Sequence, residues 1–324
     1  MDKISRITVP TPFEVGDVHI YVLAGEALSL IDAGAKTKAS WEAFTSQLKE
    51  IGYHPNDIEQ IILTHHHPDH IGLIEQFSNA EKIVAHPNVN NWLTLDEQYV
   101  EHYLHFFQEY FKACSIPEVF YPALEQLKAT LQYVGKGELT DMLTEGDALP
   151  GHPDWKVIDT KGHAQSHLSF FREQDQVLIG GDHVLKHISS NPIVEPPELG
   201  RPMKDRPKPL LQYRENLKKC ADLGIKKILS SHGEAVNNPG QLIFNRLKKQ
   251  EERADFVYQL LIKHGGKRTP FEICAELFPK QYKQQISLTM SETIGQLDYL
   301  ESKQLVIKSM VDGKLFYEAA DIDR

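Results

Sequence analysis

The chain has 324 residues, 41% hydrophobic and 25% charged, with a formal net charge of −10. That length accommodates two domains, and the composition suits a globular protein with a substantial core. The acidic balance argues against a protein whose main task is non-specific nucleic-acid binding, which needs Lys and Arg to displace counterions from phosphate.

The acidity is uneven: residues 240–324 carry 13 Lys and Arg against 12 Asp and Glu, leaving 22 against 33 in residues 1–239. Cys114, Cys220 and Cys274 are far apart and form no CxxC pair, which disfavours a disulfide framework and a thiolate metal site. The opening MDKISRITVPTPF holds no apolar run of signal-peptide length, and no 18-residue apolar stretch occurs anywhere. A cytoplasmic protein with no membrane partner is the expectation.

VHIYVLAGEALSLIDAG (18–34) reads as two buried strands around Gly25-Glu26. Residues 36–52 carry Trp41, Phe44, Leu48 and Ile51 at helical spacing, and the strand-like QIILT (60–64) then runs into THHHPDH (64–70). KIVAHP (82–87) is another strand, so the chain opens with the alternation of an α/β layered fold. Residues 91–135 form a helical insert holding nine of the chain's 26 Phe and Tyr, which reads both as an insert core and as a lid over a site. WKVIDT (155–160), HLSFFR (167–172), QVLIGGDHV (176–184) and KKILSSH (226–232) are strands, and the proline-rich 187–210 is an extended loop.

From about residue 240 the texture becomes helical. Thr269-Pro270-Phe271-Glu272 has capping-box spacing with Pro at the first helical position, and Thr289 with Glu292 repeats that spacing before Ile294, Leu297 and Leu300. Asp312-Gly313 then sits between two strand-like runs as a hairpin turn. Helix, helix, hairpin is the order of a winged-helix module, so the expected domains are 1–239 and 240–324.

His65, His67, Asp69 and His70 offer four ligand-type side chains within six residues. In extended backbone His65 and His67 share a face while His66 points away. His163 follows a predicted strand, and Asp182 and His232 end two others, at the C-terminal edge where α/β sheets place their sites. This recurrence at several strand ends is the strongest functional signal in the chain.

In their order, HHHPDH (65–70), DTKGHAQSH (159–167), GGDH (180–183) and SSHGE (230–234), with LIDAG (30–34) before them, resemble the motifs of the metallo-β-lactamase-fold hydrolases. The resemblance spans residues 15–237 and implies a four-layer αβ/βα sandwich with a two-metal site at one edge. His65, His67 and His163 would bind the first zinc, Asp69, His70 and His232 the second, and Asp182 would bridge both. Iron or manganese, used by some relatives, also suits these ligands. A hydroxide shared by the ions would attack an ester-type carbonyl or phosphorus. Asp69 and His183 are the candidate catalytic residues, His183 either reaching the substrate or packing. Asp32 either orients a ligand histidine or serves a turn before Gly34. His167 reads as a supporting or strand residue, and His66 as structural.

Two departures narrow the family. An exported β-lactamase lacks the bridging aspartate, and the oxygen-reducing di-iron relatives carry glutamate where this chain has His67. The leading expectation is a hydroxyacylglutathione-hydrolase-like enzyme that cuts an ester, thioester or lactone of a small, apolar substrate. A lactamase-like endoribonuclease using the tail on nucleic acid is the alternative, and a degenerate binding protein ranks third. The near-neutral tail fits packing against the hydrolase domain or, in a homodimer, a second subunit.

Overall fold

The computed structural model describes residues 2–321. The chain falls into two compact units, both discontinuous in sequence. The first comprises the chain up to Glu97 with Thr130–Ser190 and Asn216–Ile243; the second comprises Gln98–Ala129, Asn191–Glu215 and the chain from Phe244 on. The aromatic insert and most of the proline-rich loop therefore group with the C-terminal residues, which a linear boundary near residue 240 does not describe.

The first unit contains two six-stranded sheets. One holds β1 (Lys3–Val9), β2 (Val18–Ala24), β3 (Leu28–Ile31), β4 (Gln60–Ile62), β5 (Lys82–Ala85) and β6 (Asp141–Met142) in spatial order, antiparallel up to β3 and parallel beyond it. The other holds β7 (Ala148–Leu149), β8 (His152–Asp159), β9 (Leu168–Arg172), β10 (Val177–Gly181), β11 (Lys227–Ser230) and β12 (Val236–Asn237), antiparallel except for the β10–β11 pair. Their inner faces meet in one apolar core, where Leu23, Ile31 and Ile62 pack with Trp155, Val157, Phe170 and Ile179. The near-continuous burial of β2 and β9 explains why these strands read as apolar runs rather than alternations.

The helix Lys38–Glu50 starts where the Thr37 hydroxyl accepts the Ser40 N–H at 3.0 Å, and it buries Phe44 and Leu48. β1 and the two-residue strands β6, β7 and β12 are additions to the sequence expectation. Among the described residues no helix is long and apolar enough to cross a membrane.

In the second unit, helix Glu97–Ala113 buries Tyr103, Phe106, Phe107, Tyr110 and Phe111, the i, i+3, i+4, i+7, i+8 stripe of an amphipathic helix. These rings are core. Helix Gly240–His264, which enters this unit at Phe244, buries Arg246, Gln250, Ala254, Val257 and Leu261 at similar spacing. Helix Pro270–Leu277 has the expected reciprocal cap: Glu272 N–H donates to Thr269 Oγ1 at 3.3 Å, and Thr269 N–H donates to Glu272 Oε2 at 2.8 Å.

The second expected cap is not used. Helix Ile286–Ser302 begins upstream of Thr289, whose hydroxyl donates back to the Gln285 carbonyl at 2.9 Å. β13 (Val306–Val311) and β14 (Lys314–Ala319) close around Asp312 and Gly313, whose φ values of 49° and 75° give the left-handed pair that a two-residue hairpin turn needs.

Candidate metal centre

The ligand-type residues of the sequence motifs come together at one edge of the two sheets, on the segments leaving β3, β4, β8, β10 and β11. Each is held there by backbone geometry. Asp32 follows β3 with φ at 67°, a left-handed conformation that Asp tolerates better than most side chains. His67 caps the short helix Pro68–Ile71, whose first turn carries Asp69 and His70. His163 lies between β8 and β9; Asp182 and His232 follow β10 and β11.

Their donor atoms form three overlapping groups, each within 4.8 Å: His65 with His67 and His163, His65 with His70 and Asp182, and Asp69 with His70 and His232. Asp182 lies between them. Its Oδ2 is 3.5 Å from Nε2 of both His163 and His232, and its Oδ1 is 3.6 Å from Nε2 of His70. Asp69 completes the ring, with Oδ2 3.4 Å from His232 Nε2.

The far sides of three of these imidazoles are fixed by protein partners. His70 Nδ1–H donates to Asp32 Oδ2 at 2.8 Å, and the same carboxylate accepts the Thr64 N–H at 2.8 Å and the Thr64 hydroxyl at 2.9 Å. With that proton committed, Thr64 Oγ1 accepts Nδ1–H of His65 at 3.0 Å. His232 Nδ1–H donates to the Asp17 carbonyl at 2.8 Å. All three rings thus turn Nε2 inward.

This arrangement fits a bound cation. His65 Nε2 and His163 Nε2 lie 2.9 and 3.1 Å from His67 Nδ1, so three imidazole nitrogens converge on one point. Among the described residues, His70 Nε2, His232 Nε2 and Asp182 Oδ1 are buried without a hydrogen-bond partner. Five imidazoles and two carboxylates form a nitrogen and oxygen donor set suited to zinc and also to iron or manganese.

The electrostatics divide the site. Burial, reinforced by neighbouring imidazoles, holds His65 and His67 well below the usual histidine range, so both are neutral donors. Burial also lowers His70, but Asp69, Asp182 and Asp32 outweigh it and hold that ring well above its usual value. Asp182 runs the other way: burial raises it, while His232, His70 and His163 pull it well below the usual carboxylate range.

The remaining histidines take supporting places. His66 faces away from the donors, with Nδ1 2.8 Å from Ser166 Oγ and its ring stacked on Trp92 at 4.6 Å; burial first, then nearby histidines, lower its pKa to about 3. His183 is fully buried, its ring centroid 6.3 Å from that of His167. His167 accepts the Asp182 backbone N–H. Thr64, Thr160 and the Asp17 carbonyl escaped the sequence reading; Thr64 alone had a local signal, its position directly before the histidine cluster. His152 is buried in a separate relay, between Ser29 Oγ at 2.6 Å and Asp2 Oδ2 at 2.8 Å.

The family model described as "Metallo-beta-lactamase superfamily" matches residues 14–232. A Bacillus subtilis protein named "Probable metallo-hydrolase YqjP" is 35% identical over 316 residues, covering 98% of this chain and 97% of its own. More distantly, an "Atrochrysone carboxyl ACP thioesterase" of Aspergillus fumigatus is 23% identical over 245 residues, covering 75% of this chain and 59% of its own. The crystal structure of a metallo-beta-lactamase family protein from Thermus thermophilus has the same fold, with a TM-score of 0.80 at 24% identity and 98% coverage of both chains. This chain belongs to the metallo-beta-lactamase superfamily.

Proposed function

We propose that this metal-dependent hydrolase is a two-zinc enzyme that cleaves an ester, thioester or lactone of a small acyl compound. The observation that carries the reading is the position of Asp182, within 3.6 Å of inward-facing nitrogens from both sides of the donor cluster. His65, His67 and His163 would hold one ion, Asp69, His70 and His232 the other, with Asp182 shared.

When bound, two zinc ions supply Lewis acidity toward water and toward the acyl oxygen. The chain's own residues set up that chemistry. Asp69 and Asp182 contribute two negative charges against the four positive charges of two divalent ions, so the centre stays positive and favours the negative charge that develops during acyl transfer. Asp32, Thr64 and the Asp17 carbonyl hold the ring protons of His70, His65 and His232 on the outer side, keeping the inner nitrogens free for the ions. Burial of every donor but the partly exposed His67 limits competition from bulk water.

Acyl substrates are favoured over nucleic acid by the excess of 33 Asp and Glu over 22 Lys and Arg in residues 1–239, which repels a polyanion. The thioesterase among the relatives supports the thioester within that class. The helix–helix–hairpin order of the tail favours the nuclease reading, and one experiment separates the two. The zinc-loaded protein is assayed on thioesters, esters and lactones beside single-stranded RNA, with Asp182→Ala as the blank. Asp182-dependent acyl turnover with intact RNA is expected; RNA cleavage without acyl turnover would overturn the proposal.

A further inference from the structure

Asp182 can sit between the two halves of the donor cluster only if the backbone that carries it is fixed. That backbone is irregular. β10 slips its register against β11 between Ile179 and Gly181, and Gly181 adopts φ +51°. A side chain at Gly181 would be strained there, and its Cβ would stand 2.7 Å from His167 Nε2 and 3.0 Å from Thr64 Cβ. Asp182 has left the sheet ladder, so its N–H needs another acceptor.

The acceptor is His167 Nε2 at 3.0 Å. For Nε2 to accept, the ring proton must sit on Nδ1, which lies 2.7 Å from Thr160 Oγ1. Thr160 Oγ1 then donates its own proton to Ser169 Oγ at 2.9 Å, and Ser169 donates to the Gly180 carbonyl at 3.3 Å. The relay starts at the Asp182 amide and ends at the Gly180 carbonyl, so it closes around the bulge it stabilises. Ser190 Oγ–H donates to the Asp182 carbonyl on the other side. His167 belongs to none of the converging donor groups.

We infer that His167 is a positioning residue: it clamps the Asp182 amide through a tautomer fixed by Thr160, and so sets the carboxylate between the two metal-binding groups. What the carboxylate then does rests on the two-zinc reading; the clamp itself does not.

The test compares His167→Leu, His167→Gln and Thr160→Val with the full-length wild type. Two readouts are taken: zinc stoichiometry by equilibrium dialysis, and hydrogen exchange of the Asp182 amide in metal-free protein. Leucine removes the acceptor, whereas the glutamine amide oxygen can restore it. Outer partners of metal ligands typically carry about 10–100-fold in metal affinity. His167→Leu is therefore expected to weaken the zinc ions that share Asp182 by about that factor, and to speed exchange of the Asp182 amide about tenfold or more. His167→Gln should recover most of both effects.

Thr160→Val, which frees the tautomer while keeping the ring, should shift both readouts in the same direction by a smaller factor, and it decides the matter if His167→Leu does not fold. Wild-type zinc affinity in His167→Leu, or equal impairment in His167→Leu and His167→Gln, would overturn the inference. If the wild type itself binds one ion, the two-zinc reading fails, and exchange of the Asp182 amide still decides the clamp.

Discussion

Two buried polar clusters among the described residues, one in each unit, are built on opposite principles. The cluster at the sheet edge is a set of Lewis bases, imidazoles and carboxylates, whose donor atoms point at one another and whose outer atoms are locked by Asp32, Thr64 and Asp17. The cluster in the second unit brings its own cation. Arg206, from the proline-rich loop, donates to Asp298 Oδ1 at 2.8 Å, with its guanidinium 5.7 Å from the Tyr110 ring centroid. Tyr317 from β14 lies fully buried within electrostatic reach of both charges. Burial pushes Asp298 up against the pull of Arg206, and holds Tyr110 and Tyr317 well above the usual phenol range. The insert helix, the loop, the helix Ile286–Ser302 and the hairpin each supply one of these four residues. One cluster therefore requires an ion from outside. The other ties sequence-distant segments into one unit.

That contrast is open to direct attack, and the largest effect should come from the first cluster. Asp182→Ala should lower kcat/KM by on the order of 10³-fold or more, since a catalytic metal supplies several kcal/mol of transition-state stabilisation. Chelation should abolish turnover in the wild type, and added zinc should restore it. Arg206→Met should leave zinc binding unchanged but cost about 3–5 kcal/mol in denaturant unfolding, because Asp298 is left charged and unpaired in the interior. The double variant Arg206→Met with Asp298→Leu should return to within about 1–2 kcal/mol of the wild type, as apolar replacements of a buried pair often do. A cost for Arg206→Met no larger than that of a surface change would remove the second cluster from the account.

The donor cluster was legible in the sequence because ligand chemistry needs particular side chains, and those of His65 through His232 recur at strand ends. Its supports were not, because they depend on pairing across the fold. His167 and Thr160 show no spacing that announces a clamp, and the need for one arises from a bulge at Gly181 visible only in the β10–β11 register. β1 escaped because KISRITV is only partly buried and becomes a strand by pairing along its whole length with β2. Local rules worked where local energetics decide, as at Thr269 and at Asp312-Gly313. The same rule failed at Thr289, where the helix Ile286–Ser302 starts earlier and turns the hydroxyl back on its own carbonyls. The second unit is assembled from three stretches of chain, a grouping that no linear reading expresses.

The smallest prediction concerns an ion pair between the two extremes. Arg172 is buried and donates through Nε and Nη2 to the two carboxylate oxygens of Asp175 at 3.0 and 2.9 Å, while Asp175 remains partly exposed. Hydrogen bonding from Arg172 lowers the Asp175 pKa, against a smaller opposing effect of burial. A carboxylate whose folded pKa lies below its unfolded value adds stability above the unfolded pKa and loses it as the pH falls through the folded one. Asp175→Asn should therefore cost about 0.5 kcal/mol at neutral pH, the scale of a half-exposed pair, and the cost should vanish in acid below the lowered pKa. Urea unfolding of both proteins across that range checks it. The guanidinium also lies 4.6 Å from the Trp155 ring centroid. A deficit that persisted unchanged in acid would mean that Asp175 acts by holding Arg172 against that ring, through shape rather than charge.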